Sequence, residues 1–417
     1  MIFPRERYLQ QLIRKEGNGL IKVITGIRRC GKSYLLFNLF RQHLLDNGIT
    51  DKQLVQIALD DRRNLELRDP NRMLAFLEKR ISGDEHHYVL LDEIQYMPEF
   101  VDILNTLLHF PNTDVYVTGS NSKFLSSDIL TEFRGRGDEI QIHPLSFKEF
   151  SEAYAGRLDE AWEDYTEFGG LPYTVFLTEP DEKERYLQSL CREVYLTDLI
   201  ERHHIRNTAE FNELMDILAS SIGSLTNPLK LSNTFKTLKN KRISDTTIFR
   251  YIGYLADAFL IHRANRFDIK GKKYINSLSK YYYEDIGLRN ARLGFRQYEP
   301  THIMENIMFN ELRIRGFQVD VGILDKYSKD ENQKTIKSTY EVDFVATKGS
   351  QKYYIQSAYR MDSPEKEAQE KFSLRNIKDS FKKIVVVRDN IRPRRDESGI
   401  LTIGIRQFLM DENAMDL

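Results

Sequence analysis

Gly26-Ile27-Arg28-Arg29-Cys30-Gly31-Lys32-Ser33 follows the pattern G-x-x-x-x-G-K-[ST] in full. It comes after an apolar run, Leu20 to Thr25, and opens a second one, Tyr34 to Phe40. Strand, glycine loop and helix in that order predict a phosphate-binding loop. Glycines let consecutive backbone N–H groups converge on phosphate oxygens, and the following helix adds its positive end. The expected cradle is therefore Gly26, Ile27, Arg28, Arg29, Cys30, Gly31, Lys32, Ser33 and Tyr34. Lys32 is expected on the β- and γ-phosphates of ATP, and the Ser33 hydroxyl on Mg²⁺.

Such a loop needs acids on a later strand. His87 to Leu91 is apolar and ends in Asp92-Glu93, about 60 residues on. Ligands of open α/β sheets bind at the carboxyl ends of strands, where these two acids stand. Asp92 is expected to hold Mg²⁺, and Glu93 to take a proton from the attacking water. A third run, Val115 to Thr118, leads into Gly119-Ser120-Asn121. Ser120 and Asn121 are candidates to hold the γ-phosphate or the water; the alternative is a helix cap. Phe133-Arg134-Gly135-Arg136-Gly137 then offers Arg134 and Arg136, either solvated or aimed at a neighbouring subunit's γ-phosphate.

These groups need a parallel sheet to position them, and the chain has room for more. Its 417 residues predict two or three domains. Hydrophobic residues make up 41% and charged residues 29%, an ordinary globular balance. Sixty-one Lys and Arg against 62 Asp and Glu exclude a global attraction to nucleic acid or membrane, so any such site is a local patch. Cys30 and Cys191 make no disulfide framework and fit a reducing cytoplasm. The amino terminus lacks a signal-peptide core, and no run nears the ~18 apolar residues of a membrane span.

Together the motifs resemble prokaryotic AAA-superfamily ATPases that carry a C-terminal domain of unknown function. The residues concerned are Thr25 to Ser33, Leu91 to Gln95, Thr118 to Ser122, Gly135-Arg136, Pro144-Leu145-Ser146-Phe147-Lys148-Glu149-Phe150 and Phe168-Gly169-Gly170-Leu171-Pro172. The resemblance implies an ATPase core over residues 1–152 and a helical lid over 153–223.

Residues 224–290 read helix, helix, hairpin, the order of a winged helix-turn-helix. Ser244 is the expected cap of its second helix. No acid occurs between Asp216 and Asp245, while Lys230, Lys236, Lys239, Lys241 and Arg242 do, and the hairpin adds Arg263, Arg266, Lys270, Lys272 and Lys273. This patch fits DNA phosphates; the alternative is protein packing. His203-His204 is not a metal pair, because neighbours on a helix point apart.

Residues 291–417 read helix, three strands, helix, strand, which resembles the restriction-endonuclease-like fold. Glu341 and Asp343 supply acids. Gln356-Ser357-Ala358 stands where Glu-x-Lys is expected, so an inactive module is predicted unless a lysine such as Lys352 comes from elsewhere. The expected protein is α/β: a P-loop NTPase core with helical lid, a winged helix and a nuclease-like tail. It is read as a cytoplasmic ATP-driven switch on a protein or DNA partner, in a possible homo-oligomer and without membrane contact. The rivals are an ATP-gated nuclease and a nucleotide-regulated scaffold.

Overall fold

A computed structural model describes residues 3–81, 83–119, 135–239, 243–329 and 335–417. The chain divides into two compact units, residues 1–144 with 257–259, and residues 145–256 with 260–417.

The first unit is built on a five-stranded sheet: β1 (Ile21–Thr25), β2 (Leu54–Ala58), β3 (His87–Asp92), β4 (Thr113–Thr118) and β5 (Gly137–Gln141). The order is β2-β3-β4-β1-β5, and every neighbouring pair is parallel. β1 and β3 are buried along their whole length, as apolar runs covered on both faces must be. Val89, Leu91, Val115 and Val117 pack with Met73, Leu77, Leu104 and Leu107 from the helices Pro70–Arg80 and Phe100–Leu107. Buried in the same unit, Tyr116 meets Phe40 at 4.5 Å between ring centroids, and the buried Lys22 is closed on Asp114. Parallel strands put all their carboxyl ends on one edge, and the order sets β4 between β3 and β1.

The second unit begins with helices, Phe147–Ala153, Leu158–Phe168, Pro180–Ser189 and Thr208–Ser220. Ser146 and Glu149 form a reciprocal capping box at the first of them. Leu158–Phe168 and Pro180–Ser189, expected as a lid, pack within this unit against Ile286–Arg292. Asp285 holds that packing. Its carboxylate accepts from Gly170 N at 2.7 Å and from Leu288 N at 3.1 Å. A Cβ on Gly170 would lie 2.3 Å from the Leu145 carbonyl, so the Gly-Gly-Leu-Pro turn tolerates nothing larger.

An eight-stranded sheet completes the unit. Its strands are β6 (Ile261–Asp268), β7 (Lys273–Tyr283), β8 (Gln318–Lys329), β9 (Thr335–Lys348), β10 (Gln351–Ala358), β11 (Lys382–Val387), β12 (Arg394–Arg395) and β13 (Leu401–Gly404). The order is β12-β13-β11-β10-β9-β8-β6-β7. Ser244 does cap Asp245–Asp257, accepting from Thr247 N at 3.1 Å. The hairpin that follows is not a free-standing wing, however. Its first strand pairs in parallel with Val321–Ile323 of β8, across the expected boundary at 290. The reason is physical: Phe267 of β6 packs against the apolar cluster of Val342, Val345 and Tyr354, and the edge of β8 offers its backbone a partner.

Candidate nucleotide-binding site

The glycine loop leaves β1 in a conformation that most residues resist. Gly26 has φ 140°, and a Cβ there would sit 2.2 Å from the Ile142 carbonyl oxygen. Arg29 and Gly31 are also left-handed, at φ 66° and 101°. Ile27 and Cys30 turn inward and are fully buried, while Arg29 is exposed. The helical segment 32–46 begins at Lys32, runs as a π-helix over Leu35–Phe40, and returns to α over Arg41–Asp46. Its first N–H groups have no carbonyl of the helix before them and open onto the loop.

The chemistry-bearing side chains converge there. Lys32 is buried, and its ammonium donates to the carbonyls of Gly26 and Ile27, each at 3.0 Å. Both partners are neutral. Ser33 Oγ donates to Asp92 Oδ1 at 3.0 Å. Thr118 Oγ1 donates to the same oxygen and accepts from Glu93 N at 3.0 Å. Burial pushes the Asp92 carboxyl up; the Thr118 and Ser33 hydroxyls pull it down, and Glu93 and Asp60 push it up further. A cation would reverse that balance. A hydroxyl beside a carboxylate is the hard-oxygen pair that Mg²⁺ takes, so the residues present fit the ion. Glu93 sits at φ 52°, strained for a residue with a side chain, and the Gln95 amide donates to its carboxylate.

The sequence places Thr118 in a stretch that resembles the family but gives it no role of its own. Its register shows the signal: it pairs with Ile24 of β1, and Val117 pairs with Leu91 of β3. It is the last residue of the strand lying between loop and acids. Ser120, Asn121 and Arg134 lie outside the described residues. Arg136 is described and does not join its own chain's site. It precedes β5, and its carbonyl accepts from Ile21 N at the start of β1. The loop leaves the other end of that five-residue strand, roughly 15 Å away at about 3.3 Å per residue. The Arg136 side chain is exposed.

Residues 18–151 match the family model for an AAA domain, and residues 159–299 match a domain of unknown function (DUF8612). A Haemophilus influenzae protein is 36% identical over 391 residues, 92% of this chain and 93% of the relative. MJ1544 of Methanocaldococcus jannaschii is 33% identical over 375 residues, 86% of this chain and 79% of the relative. This chain belongs to their family. Both relatives are named as uncharacterized proteins, so the membership brings no partner or pathway with it. The AAA domain makes the chain a nucleotide-binding protein of the AAA ATPase type. Among solved structures, the Aeropyrum pernix ORC1 protein in complex with DNA aligns at TM-score 0.33 and 13% identity, over 70% of this chain and 92% of that one. Vibrio cholerae VC1899 aligns at TM-score 0.21 and 13% identity, over 94% and 95%. Among the described residues, no helix is long and apolar enough to cross a membrane.

The second unit holds another group of charged side chains. Glu341 and Asp343 on β9 both face a lysine, and it is not Lys352. That side chain lies over the Phe267 and Phe381 rings at 5.3 and 5.1 Å. The lysine is Lys280 of β7, 2.6 Å from Glu341 and 3.6 Å from Asp343. Ala358, at the place expected for lysine, is packed in the core with Val385 and Leu374.

Proposed function

We propose that the chain hydrolyses ATP with Mg²⁺ and uses the bound nucleotide to switch its hold on a protein or DNA partner. The observation that carries this reading is the Lys32 ammonium resting on two neutral carbonyls, beside an Asp92 oxygen that collects the hydroxyls of Ser33 and Thr118. Lys32 exchanges its carbonyls for phosphate oxygens without breaking an ion pair. Ser33 and Asp92 would hold Mg²⁺, which would neutralise charge on the phosphates. Glu93, one residue beyond Asp92, takes the proton of the attacking water, and Gln95 steadies its carboxylate. The test is Glu93→Gln, which keeps ATP binding and loses turnover; equal turnover in both proteins sinks the role of Glu93.

Arg134 or Arg136 then acts across subunits of a homo-oligomer. Mixing Arg136→Ala with Lys32→Ala protein restores activity at mixed interfaces. Full turnover by a strict monomer rules this out. On the partner side, Lys230, Lys236, Lys270, Lys272 and Lys273 are exposed and support contact with DNA phosphates. The side chains of Lys239, Lys241 and Arg242 lie outside the described residues. DNA affinity falls steeply with salt, and replacing Lys270, Lys272 and Lys273 flattens that dependence. No binding at low salt makes this segment a protein-docking surface. Neither Cys30 nor Cys191 is in a disulfide, which suits a cytoplasmic protein.

A further inference from the structure

The stretch Arg388-Asp389-Asn390-Ile391-Arg392-Pro393-Arg394-Arg395 carries four arginines against one acid. Two of them are taken up inside the fold. Arg394 reaches Glu367 at 3.5 Å, and Arg395 donates to the Gly399 carbonyl at 3.0 Å. Arg388 and Arg392 are exposed and, among the described residues, enter no ion pair. The sheet decides where Arg388 stands. β10 and β11 are parallel, with Ala358 opposite Val387. Tyr359 and Arg388 come next on each strand and meet at the carboxyl edge, the guanidinium 5.2 Å from the ring centroid. Met361 and Ile391 pack on the core cluster that holds Ala358 and Val387, while Arg360 and Arg392 stay exposed. The same loop crosses the end of β13, where a Cβ on Gly404 would lie 2.6 Å from the Asp389 carbonyl. Tyr298 stands beside this pair. Its ring is 64% exposed and its hydroxyl end partly covered; that cover and Tyr359 push the phenol up, while Thr166 and Arg388 pull it down. Arg296, Arg360, Arg388 and Arg392 outnumber the exposed acids nearby, Glu167, Asp362 and Asp389, and the Glu299 carboxylate is held by Arg289 at 2.7 Å.

We propose that this edge binds single-stranded nucleic acid, with an unpaired base stacked on Tyr298 and backbone phosphates on Arg360, Arg388 and Arg392. Open aromatic rings beside unpaired guanidinium groups match a base and its phosphate. Every base has a π-face, so the surface reads strandedness rather than sequence. A duplex keeps those faces inside its own stack and leaves the Tyr298 ring without a partner. The edge is separate from the lysines of the β6–β7 hairpin. Lys352, at the amino end of β10, lies over Phe267 beside that hairpin. Tyr359 is seven residues further along the chain, roughly 23 Å away at about 3.3 Å per residue. Contact of the hairpin with DNA is therefore a different question from binding at this edge.

The test is fluorescence anisotropy of the full chain with labelled oligo(dT) of roughly 20 nucleotides, beside a duplex of the same length, at low salt. The parent binds the single strand more tightly than the duplex. Tyr298→Ala weakens oligo(dT) binding by roughly tenfold, the scale of one lost stack, and Tyr298→Phe, which keeps the ring, binds like the parent. Arg360→Gln together with Arg388→Gln lowers the affinity and flattens its dependence on salt. Replacing Lys270, Lys272 and Lys273 leaves oligo(dT) binding as it was, whatever it does to the duplex. A parent that does not bind oligo(dT) overturns the proposal, and so does a folded Tyr298→Ala protein with the parent's affinity. Oligo(dT) binding that is lost with the three lysines overturns it as well. If Tyr298→Ala fails to fold, the arginine pair decides: parent-like affinity in that variant is equally fatal.

Discussion

Lys32 and Lys280 are both buried lysines within reach of carboxylate-bearing strands, yet their partners differ in kind. Lys32 is held by two neutral carbonyls, so its charge remains available to an incoming anion. Lys280 is held by carboxylates, so its charge is consumed inside the fold. Lys22, closed on Asp114 and over the Tyr116 ring at 5.1 Å, belongs with Lys280. Residue type and burial do not separate a ligand-binding lysine from a structural one. The formal charge of its resting partners does.

That contrast breaks most sharply at Glu93. Glu93→Gln is expected to lower turnover by roughly 10²- to 10⁴-fold while ATP affinity holds, as read by steady-state and binding assays. Lys280→Ala comes next. It strands buried carboxylates, so denaturant unfolding should show a loss of about 3–5 kcal/mol, with ATP affinity of the folded protein unchanged. Lys32→Ala should do the reverse, cutting ATP affinity by roughly 100-fold with little change in the melting midpoint. If Lys32→Ala destabilises as much as Lys280→Ala, the distinction between neutral and charged partners fails. Thr118→Val, which removes a hydroxyl shared by Asp92 and Glu93 N, should slow turnover about tenfold.

The smallest effect is a slope. Burial, aided by Glu305, holds Asp343 at about 7, and burial holds Asp285 at about 6, both above the ordinary 3.8. The unfolded chain gives up these protons first. Stability should therefore fall as pH climbs from about 4 to about 7. Glu305 works the other way. Burial would raise it, but the Lys280 ammonium holds it at about 2, so its contribution is lost only in strong acid. Asp343→Asn should flatten part of the slope in thermal melts between pH 4 and 7, leaving the part due to Asp285. An unchanged slope removes Asp343 from this account.

The nucleotide loop and the Asp92-Glu93 pair were legible in the sequence because their chemistry is local: a glycine spacing, an apolar strand, two acids at its end. Helix Pro300–Ile314 and strands β8 to β11 were legible for the same reason, through period and length. Thr118 was not, since its role exists only once β4 is placed between β3 and β1. The place of Arg136 was not legible either: the parallel register of β5 with β1 sets it at the end of the sheet away from its own chain's glycine loop. Lys280 stands 61 residues before the acid it meets, in a hairpin that reads equally well as a separate wing; only the β6–β8 pairing brings it to β9. The short strands β12 and β13 carry too few residues for a pattern.

The bond from Gly170 N to Asp285 has a kinetic meaning as well. It joins residues 115 apart in sequence, and Asn290 reaches back equally far, to the carbonyls of Thr166 and Glu167. Chains emerge from the ribosome amino end first, at a few to tens of residues per second. The sheet of the first unit uses strands no later than Gln141 and can pair early. The helices Leu158–Phe168 and Pro180–Ser189 must then wait, their apolar faces exposed, for residues near 285 to be made. That interval of some seconds is when the nascent chain is most open to aggregation and to chaperones, and a pause or truncation between 220 and 285 would lengthen it.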